Sequence, residues 1–326
     1  MTVSALRVAA RLNTFCQGIM KKERIITGTF IAIVYAAVVL LAMYVHPIFF
    51  DVFIFLIAAC GAYEMSKVVS ECMSPPIVII ALVQTVVGFG AFWFAQYFFN
   101  LNSAGMLAYF AALCVMILVT VIVTASSKTY VKGNAVSTIL VMLYPCALLM
   151  FAVGLNYFFD YTIGINTDGS LPFRNAGIAL MFIVPAFTDV FAYVFGFAFK
   201  GKKLCPSISP NKHVSGAIGG LLGGMLGAGI VLLLTYLAER FGVNILGFKM
   251  LTDGWISTSI NFIVLGLVGS VFDQAGDLFA SYIKRRAGVK DFSNLLPGHG
   301  GVLDRVDGFI FCGVFFYLYF AVMYLI

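Results

Sequence analysis

The chain has 326 residues, 62% of them hydrophobic and 10% charged, with a formal net charge of +6 and a mean hydropathy of +1.02. An ordinary soluble domain is roughly 45–50% apolar and 25% charged, so the composition excludes one and predicts an all-α, polytopic integral membrane protein. No hydrophilic run reaches the roughly 50 residues of a separate soluble domain, so any chemistry takes place in or at the bilayer.

The positive balance does not point to nucleic acid, because the basic residues cluster in short loops beside apolar spans, where they orient a chain and meet anionic lipid. Seven cysteines are scattered singly without a CxxC pair, mostly inside apolar runs, and read as small core hydrophobes.

Residues 1–24 intersperse Arg7, Arg11, Lys21 and Lys22 with Val3, Leu6, Val8, Leu12, Phe15 and Ile19. This basic extension suits an interfacial amphipathic helix. The alternatives are a disordered extension or a chain that begins at Met20, since MKKERIITG resembles a natural start.

A crossing needs roughly 20 apolar residues. On that basis nine candidate spans follow, at 25–45, 48–69, 77–99, 104–125, 135–158, 177–199, 214–237, 256–280 and 308–326. The first five make an N-terminal membrane region over 25–158. The last four, over 177–326, make a catalytic region.

With the N-terminus cytoplasmic, all of the 20 lysines and arginines except Arg174, Arg240 and Lys249 fall on the inner side. That asymmetry is what the positive-inside rule expects of nine spans. The first two spans are separated only by the His46-Pro47 turn. Near the inner end of the second, Glu64 either snorkels to the interface or pairs with a loop lysine.

In the sixth span Asp189 shares a face with Tyr193 and Gly196, and Pro185 removes a hydrogen bond to the Met181 carbonyl, inviting a kink that could line a cavity. The loop KGKKLCPSISPNKHVSG follows, over 200–216. Topology and anionic lipid account for its lysines but not for the SxSPNK turn, so Ser209 and Lys212 are candidate phosphate contacts. The seventh span carries small residues in two rows, Gly216, Gly220, Gly224, Ala228 and Gly219, Gly223, Gly227, which let neighbouring backbones approach.

The eighth span holds Asp273 and Asp277 one helical turn apart, on one face. Carboxylates this deep are costly and mark a wet cavity or a site. After it comes SYIKRRAGVKDFSNLLPGHGGVLDRVDG, residues 281 to 308, a charged, glycine-rich stretch between two apolar runs. The chain returns with Asp304 and Asp307, so Asp277 and Asp304 can meet. Oxygen ligands without a Cys or His pair favour Mg²⁺ over zinc, with Asp273 and Asp307 as further ligands. For Asp307 the alternative is capping of the last helix.

Gly300 and Gly301 leave room for backbone N–H groups to approach phosphate oxygens. Lys284, Arg285 and Lys290 add positive charge, and His299, flanked by glycines, is read as a substrate contact. Together these point to a polyphosphate substrate and a lipid partner.

The run Ser281, Ile283, Lys284, Arg285, Lys290, Asp291, Ser293, Leu296, Pro297, His299, Gly300, Gly301, Val302, Asp304, Arg305, Val306, Asp307 resembles the signature of the CDP-diacylglycerol synthase (phosphatidate cytidylyltransferase) family. Upstream, Gly276-Asp277-Leu278, the stretch from Asp189 to Gly196 and the Ile208-Ser209-Pro210-x-Lys212 turn are similar as well. The first five spans match only in hydropathy and at Glu64. The chain departs from the family after the ISPxK turn, where His213, Val214 and Ser215 stand in place of a threonine and a glutamate.

The resemblance implies a nine-helix homodimer in the cytoplasmic (inner) membrane with a site facing the cytoplasm. It would condense CTP with phosphatidate into CDP-diacylglycerol and pyrophosphate, using Mg²⁺ as one metal ion or two. On this reading Asp277 and Asp304 bind metal, with help from Asp189, Asp273 or Asp307. Lys284, Arg285, Lys290 and Arg305 hold phosphates, and Ser209, Lys212, Ser281, Asp291, His299, Gly300 and Gly301 complete the site. Two rival readings are a CTP-dependent polyprenol-type lipid kinase and a secondary transporter with midplane carboxylates.

Overall fold

The computed structural model describes residues 26–42, 44–99, 104–157, 174–241 and 254–325. The basic extension at 1–24 therefore lies outside the described residues. Among those described, the chain forms nine helices: α1 (Ile26–Ala42), α2 (Ile48–Ser70), α3 (Val78–Phe99), α4 (Ala104–Ser126), α5 (Lys132–Tyr157), α6 (Arg174–Phe199), α7 (Val214–Phe241), α8 (Trp255–Arg286) and α9 (Asp307–Leu325). Seven of them, α2 to α8, are long and apolar enough to cross a membrane, while α1 and α9 present shorter apolar stretches. Each expected span coincides with a helix, because only a helix satisfies every backbone polar group within one segment in hydrocarbon.

Between α6 and α7 the chain adds an antiparallel hairpin, β1 (Lys203–Cys205) and β2 (Ser209–His213), where sequence analysis expects only a rigid turn. Two other departures concern helix ends and breaks. Helix α8 continues to Arg286, so Ser281, Lys284 and Arg285 sit on a helix and not in a loop. Nothing in SYIKRR breaks a helix, and the end comes where Gly288, at φ +71°, allows Val289 N–H to donate to the Lys284 carbonyl. At 32 residues α8 is about 48 Å long, well beyond a hydrocarbon layer of about 30 Å, so its charged last turns project from the apolar zone.

Helix α5 breaks at residues 142–147, where Tyr144 leaves helical geometry (φ −120°, ψ 115°) ahead of Pro145. By contrast α6 runs through Pro185 as a single helix. The glycine face of α7 lies against that stretch and supports it.

The small residues of α7 serve two neighbours. Gly219, Gly223 and Gly227 lie against Phe191, Phe187 and Ile183 of α6, whereas Gly220 and Gly224 lie against Gln274, Gly266 and Ser270 of α8. A Cβ on Gly224 would stand 2.6 Å from the Gly266 carbonyl, a backbone atom that cannot swing away. Gly224→Val is accordingly expected to destabilise the protein by about 1–3 kcal/mol, read as earlier thermal unfolding in detergent. An unchanged melting curve would contradict the close crossing of α7 and α8.

Helix α9 packs among α5, α6 and α8 and closes the core, with Phe316 and Phe320 buried. The six described cysteines are free, but only Cys146 and Cys312 are buried as core hydrophobes, while Cys60, Cys72 and Cys114 are exposed on the outer faces of their helices and helix ends. One deep carboxylate escapes the sequence inventory. Asp51, at the start of α2, is fully buried and accepts hydrogen bonds from Trp93 Nε1 (3.1 Å) and Asn156 Nδ2 (2.8 Å). It stands at the end of α2 remote from Glu64 and closes a polar joint between α2, α3 and α5.

Candidate active site

The basic segments assigned to one side of the membrane gather at one end of the bundle. The turn after α2 meets the start of α5 through Asn134 Nδ2 donating to the Pro75 carbonyl (2.7 Å) and Ile77 N–H donating to Thr138 Oγ1 (2.8 Å). The β-hairpin meets α8 through Arg285 Nε, which donates to the Ile208 carbonyl (3.2 Å). The stretch after α8 folds back over the end of α2. Short connections on antiparallel helices dictate this clustering.

A cavity of about 510 Å³ opens at this end between α6, the hairpin, α7 and α8. Asp189, Tyr193, Gly196, Lys200, Lys212, His213, Gln274 and Asp277 are among its lining residues. Gly196 and Gly216 let α6 and α7 close to near contact at its floor. Its walls divide chemically: Ala192, Tyr193 and Phe197 are apolar or aromatic, and Lys200, Asn211 and Lys212 are cationic or polar. Tyr193 and Phe197 remain 75% and 72% exposed, so the apolar wall continues into the lipid-facing surface. Such a site suits a molecule with a phosphate head and an apolar tail.

Within the cavity Lys212 forms an ion pair with Asp277, and Ser281 Oγ lies 3.4 Å from the other Asp277 oxygen. Helix α8 presents Asp277 and Ser281 one turn apart, and β2 delivers Lys212 across from them. His213, one of the departures from the family pattern, lines the same cavity, whereas Ser215 Oγ donates to the Lys200 carbonyl and ties the hairpin base. Sequence analysis did not single out Gln274 or Asn211. Gln274 lies one turn before Leu278 on α8, flanked by the two deep aspartates, and its Nε2 lies 3.3 Å from the Ala217 carbonyl.

The glycine-rich stretch has an unforeseen architecture. Glu64 is only 2% exposed and neither snorkels nor pairs with a lysine. Its Oε1 accepts from Ser293 Oγ (2.6 Å) and Val302 N–H (2.9 Å), and its Oε2 from Leu303 N–H (2.8 Å). Asp304 is also buried. Its Oδ1 receives Lys284 Nζ at 2.7 Å, and its Oδ2 accepts from Phe292 N–H (2.8 Å) and Gly301 N–H (2.9 Å).

A Cβ on Gly301 would lie 2.7 Å from both Glu64 oxygens, and one on Gly300, already at φ +83°, 2.9 Å from Asp304 Oδ2. The two glycines thus admit the protein's own carboxylates. Of the two amides expected to face a phosphate, Gly301 N–H is taken by Asp304, and the neighbouring Val302 and Leu303 N–H groups are taken by Glu64.

The expected site residues therefore divide. Asp189, Lys212 and Asp277 converge on the cavity, and Ser281 stands one turn beyond Asp277 on α8. Asp304 and Lys284 form a buried pair beside it, with Lys284 4.0 Å from Asp307 and its ammonium over the Phe292 ring. Asp277 and Asp304 thus have separate lysine partners.

Arg285 ties the hairpin and the Val289 carbonyl, and Asp291 packs beside Gly300. Lys290 and Arg305 are exposed without an ion-pair partner among the described residues, although Arg305 is within electrostatic range of Asp189. Ser209 stands at the start of β2, outside the cavity lining. His299 packs on Gly28 of α1, its Nδ1 buried without a partner, and Thr27 Oγ1 donates to the Pro297 carbonyl. Helix α1 thereby braces the loop.

Asp189, Asp273, Asp277 and Asp307 are within electrostatic range of one another. Asp273 lies against Gly308, with Oδ2 buried and unpartnered. Among the described residues no three His, Cys, Asp or Glu side chains form a ready cage for an ion. Mg²⁺ needs none, since it keeps several waters and is held by one or two carboxylates plus substrate phosphates. An all-oxygen acidic cluster with an orphaned carboxylate oxygen fits such a cation.

Comparison with known proteins agrees with this chemistry. The profile described as the cytidylyltransferase family matches residues 22–323. A protein of Brucella abortus named phosphatidate cytidylyltransferase is 38% identical over 154 residues, which cover 47% of this chain and 50% of that protein. One of Rickettsia felis with the same name is 37% identical over 133 residues, 41% of this chain and 53% of its own length. The chain spans about half the length of the curated relatives it matches.

Proposed function

The chain belongs to the cytidylyltransferase family, and from that premise we propose that it transfers CMP from CTP to phosphatidate, giving CDP-diacylglycerol and pyrophosphate. The observation that carries this reading is the divided cavity, in which a cationic wall, an apolar wall open to lipid and the Asp277–Lys212 pair face one space. The two curated relatives bear the name of that activity.

In the reaction an oxygen of the lipid phosphate attacks the α-phosphorus of CTP. A new P–O bond forms, the bond to the β-phosphate oxygen breaks, and pyrophosphate departs with its electron pair. The phosphatidate supplies its own nucleophile, so no covalent enzyme intermediate is needed. Lys212, Lys200 and Arg305 offset the charge of phosphate groups, because positive charge placed where negative charge develops lowers the barrier most in a low-dielectric site. Tyr193 and Phe197 hold the glycerolipid's apolar part.

Asp277, with Asp273 and Asp307, would hold Mg²⁺, and Asp304 orients Lys284 beside them. Bound there, the ion would supply Lewis-acid polarisation of phosphoryl oxygens. We place the basic end in the cytoplasm, the bundle in the cytoplasmic membrane with nine crossings, and two copies in a homodimer.

The test is an assay of purified protein in detergent with α-labelled CTP, phosphatidate and Mg²⁺. Label is expected in the lipid product, with pyrophosphate released and both signals lost on chelation. Label that never enters lipid, with a phosphorylated lipid formed instead, would overturn the reading in favour of a kinase.

A further inference from the structure

The roles assigned so far leave Tyr144, a buried polar residue near the acidic cluster, without use. Tyr144 belongs to α5, in the half of the chain where the resemblance offers only hydropathy, and is 2% exposed. Its hydroxyl has no hydrogen-bond partner among the described residues.

The residue is held firmly in that position. The Pro145 ring fills the space above Gly61 of α2, and Cys146 Sγ contacts Thr85 Oγ1 of α3 (3.3 Å) and the Ala58 carbonyl of α2 (3.8 Å). The non-helical backbone at Tyr144 then turns its ring away from the α5 axis and toward α8 and α9. The ring packs edge-on against Phe279 (centroids 5.1 Å, 78°) and near Phe311 (6.4 Å).

Phe279 is two residues after Asp277, and Phe311 is one turn after Asp307. The tyrosine therefore enters between the two helices that carry the acidic residues, and its hydroxyl is within electrostatic range of Asp307, Asp304 and Asp277.

A buried hydroxyl without a partner costs stability that phenylalanine at the same place would not. The ring packing asks only for phenylalanine. The oxygen therefore calls for a partner outside the folded chain, and its position calls for one at the acidic cluster. A cation cannot accept a hydrogen bond, and the nearby carboxylates receive none from this hydroxyl in the structure. A phosphate oxygen drawn in by Lys212 and Lys284 can accept one, and a neutral donor holds it there without adding charge to the cluster.

We propose that Tyr144 is a substrate-binding residue of the active site, its hydroxyl donating a hydrogen bond to a phosphate oxygen of bound substrate. This rests on the proposed cytidylyltransferase reaction, and the phosphate belongs either to the nucleotide or to the lipid.

Tyr144→Phe removes the oxygen alone and keeps the ring. In the labelled assay kcat/KM is expected to fall about 10- to 100-fold, the effect of one hydrogen bond to a charged acceptor. A rise in KM for CTP at unchanged KM for phosphatidate identifies the nucleotide phosphate as acceptor, and the reverse identifies the lipid phosphate. The melting temperature should stay level or rise.

A variant with both kcat/KM values within twofold of wild type overturns the proposal, as does a loss of activity that follows a lowered melting temperature. If wild-type protein transfers no label, the proposed reaction fails and this inference fails with it. If wild type is active and Tyr144→Phe matches it, only the inference fails.

Discussion

Asp277→Ala is expected to reduce pyrophosphate release from CTP and phosphatidate by at least about 10²–10³-fold, the scale of losing one preorganised electrostatic group in an active site. Asp277 lines the cavity together with Asp189, and its removal leaves Lys212 without its ion pair and Ser281 without its acceptor. The fold should tolerate the change. The Asp277 and Lys212 side chains are 32% and 29% exposed, and an ion pair this open contributes about 0–1 kcal/mol to stability. A melting temperature close to wild type together with lost turnover is the expected pair of results. Near-normal turnover would remove Asp277 from the reaction and with it the assignment of the cavity.

Glu64→Ala should act by the opposite route. The carboxylate satisfies the part-buried Ser293 hydroxyl and Val302 amide and the buried Leu303 amide, and alanine leaves all three without that acceptor. Each unsatisfied group costs about 1–3 kcal/mol, so the sum is a large part of a typical folding stability of about 5–15 kcal/mol. The expected outcome is both a lowered melting temperature and a loss of activity, because residues 293–303 lose their hold on α2.

Glu64→Gln should fall between alanine and wild type. Its amide oxygen can still accept, while its NH₂ group faces donors. If Glu64→Ala keeps its melting temperature and its turnover within about threefold, the glutamate does not hold the loop. Measuring both quantities on the same preparations separates the Asp277 effect, on activity alone, from the Glu64 effect, on both.

These two carboxylates show where reading a sequence succeeds and where it stops. Asp277 stands out because a charge deep in an apolar run is expensive, and a cost of that kind is visible without coordinates. The span boundaries are legible for the same reason, since hydrocarbon thickness imposes one length on every crossing. The glycine rows of α7 announce close packing, but not which glycines face α6 and which face α8. Glu64 gave no comparable signal. It lies near a helix end, where an acidic residue is ordinary, and its partners are more than 200 residues away in the chain.

The GHGG loop was legible as a place where backbone and an anion approach closely. That the anions are Glu64 and Asp304 of the protein itself, and not substrate phosphates, follows from which chain segments happen to touch. The same holds for Tyr144, an unremarkable aromatic residue in an apolar run until Pro145 and the break in α5 swing it toward the acidic cluster.

Composition and the period of its apolar runs were enough to determine that this protein lives in a bilayer, how its helices are cut, and where its rare charges stand near their ends. Those facts depend on transfer free energies, which act residue by residue along the chain. Tertiary packing alone decided which carboxylates line a cavity, which are sealed beneath a loop, and which hydroxyl from the other half comes near the acidic cluster. Hydrogen bonds and ion pairs of that kind depend on distances between segments remote in sequence, and those distances exist only once the helices have packed.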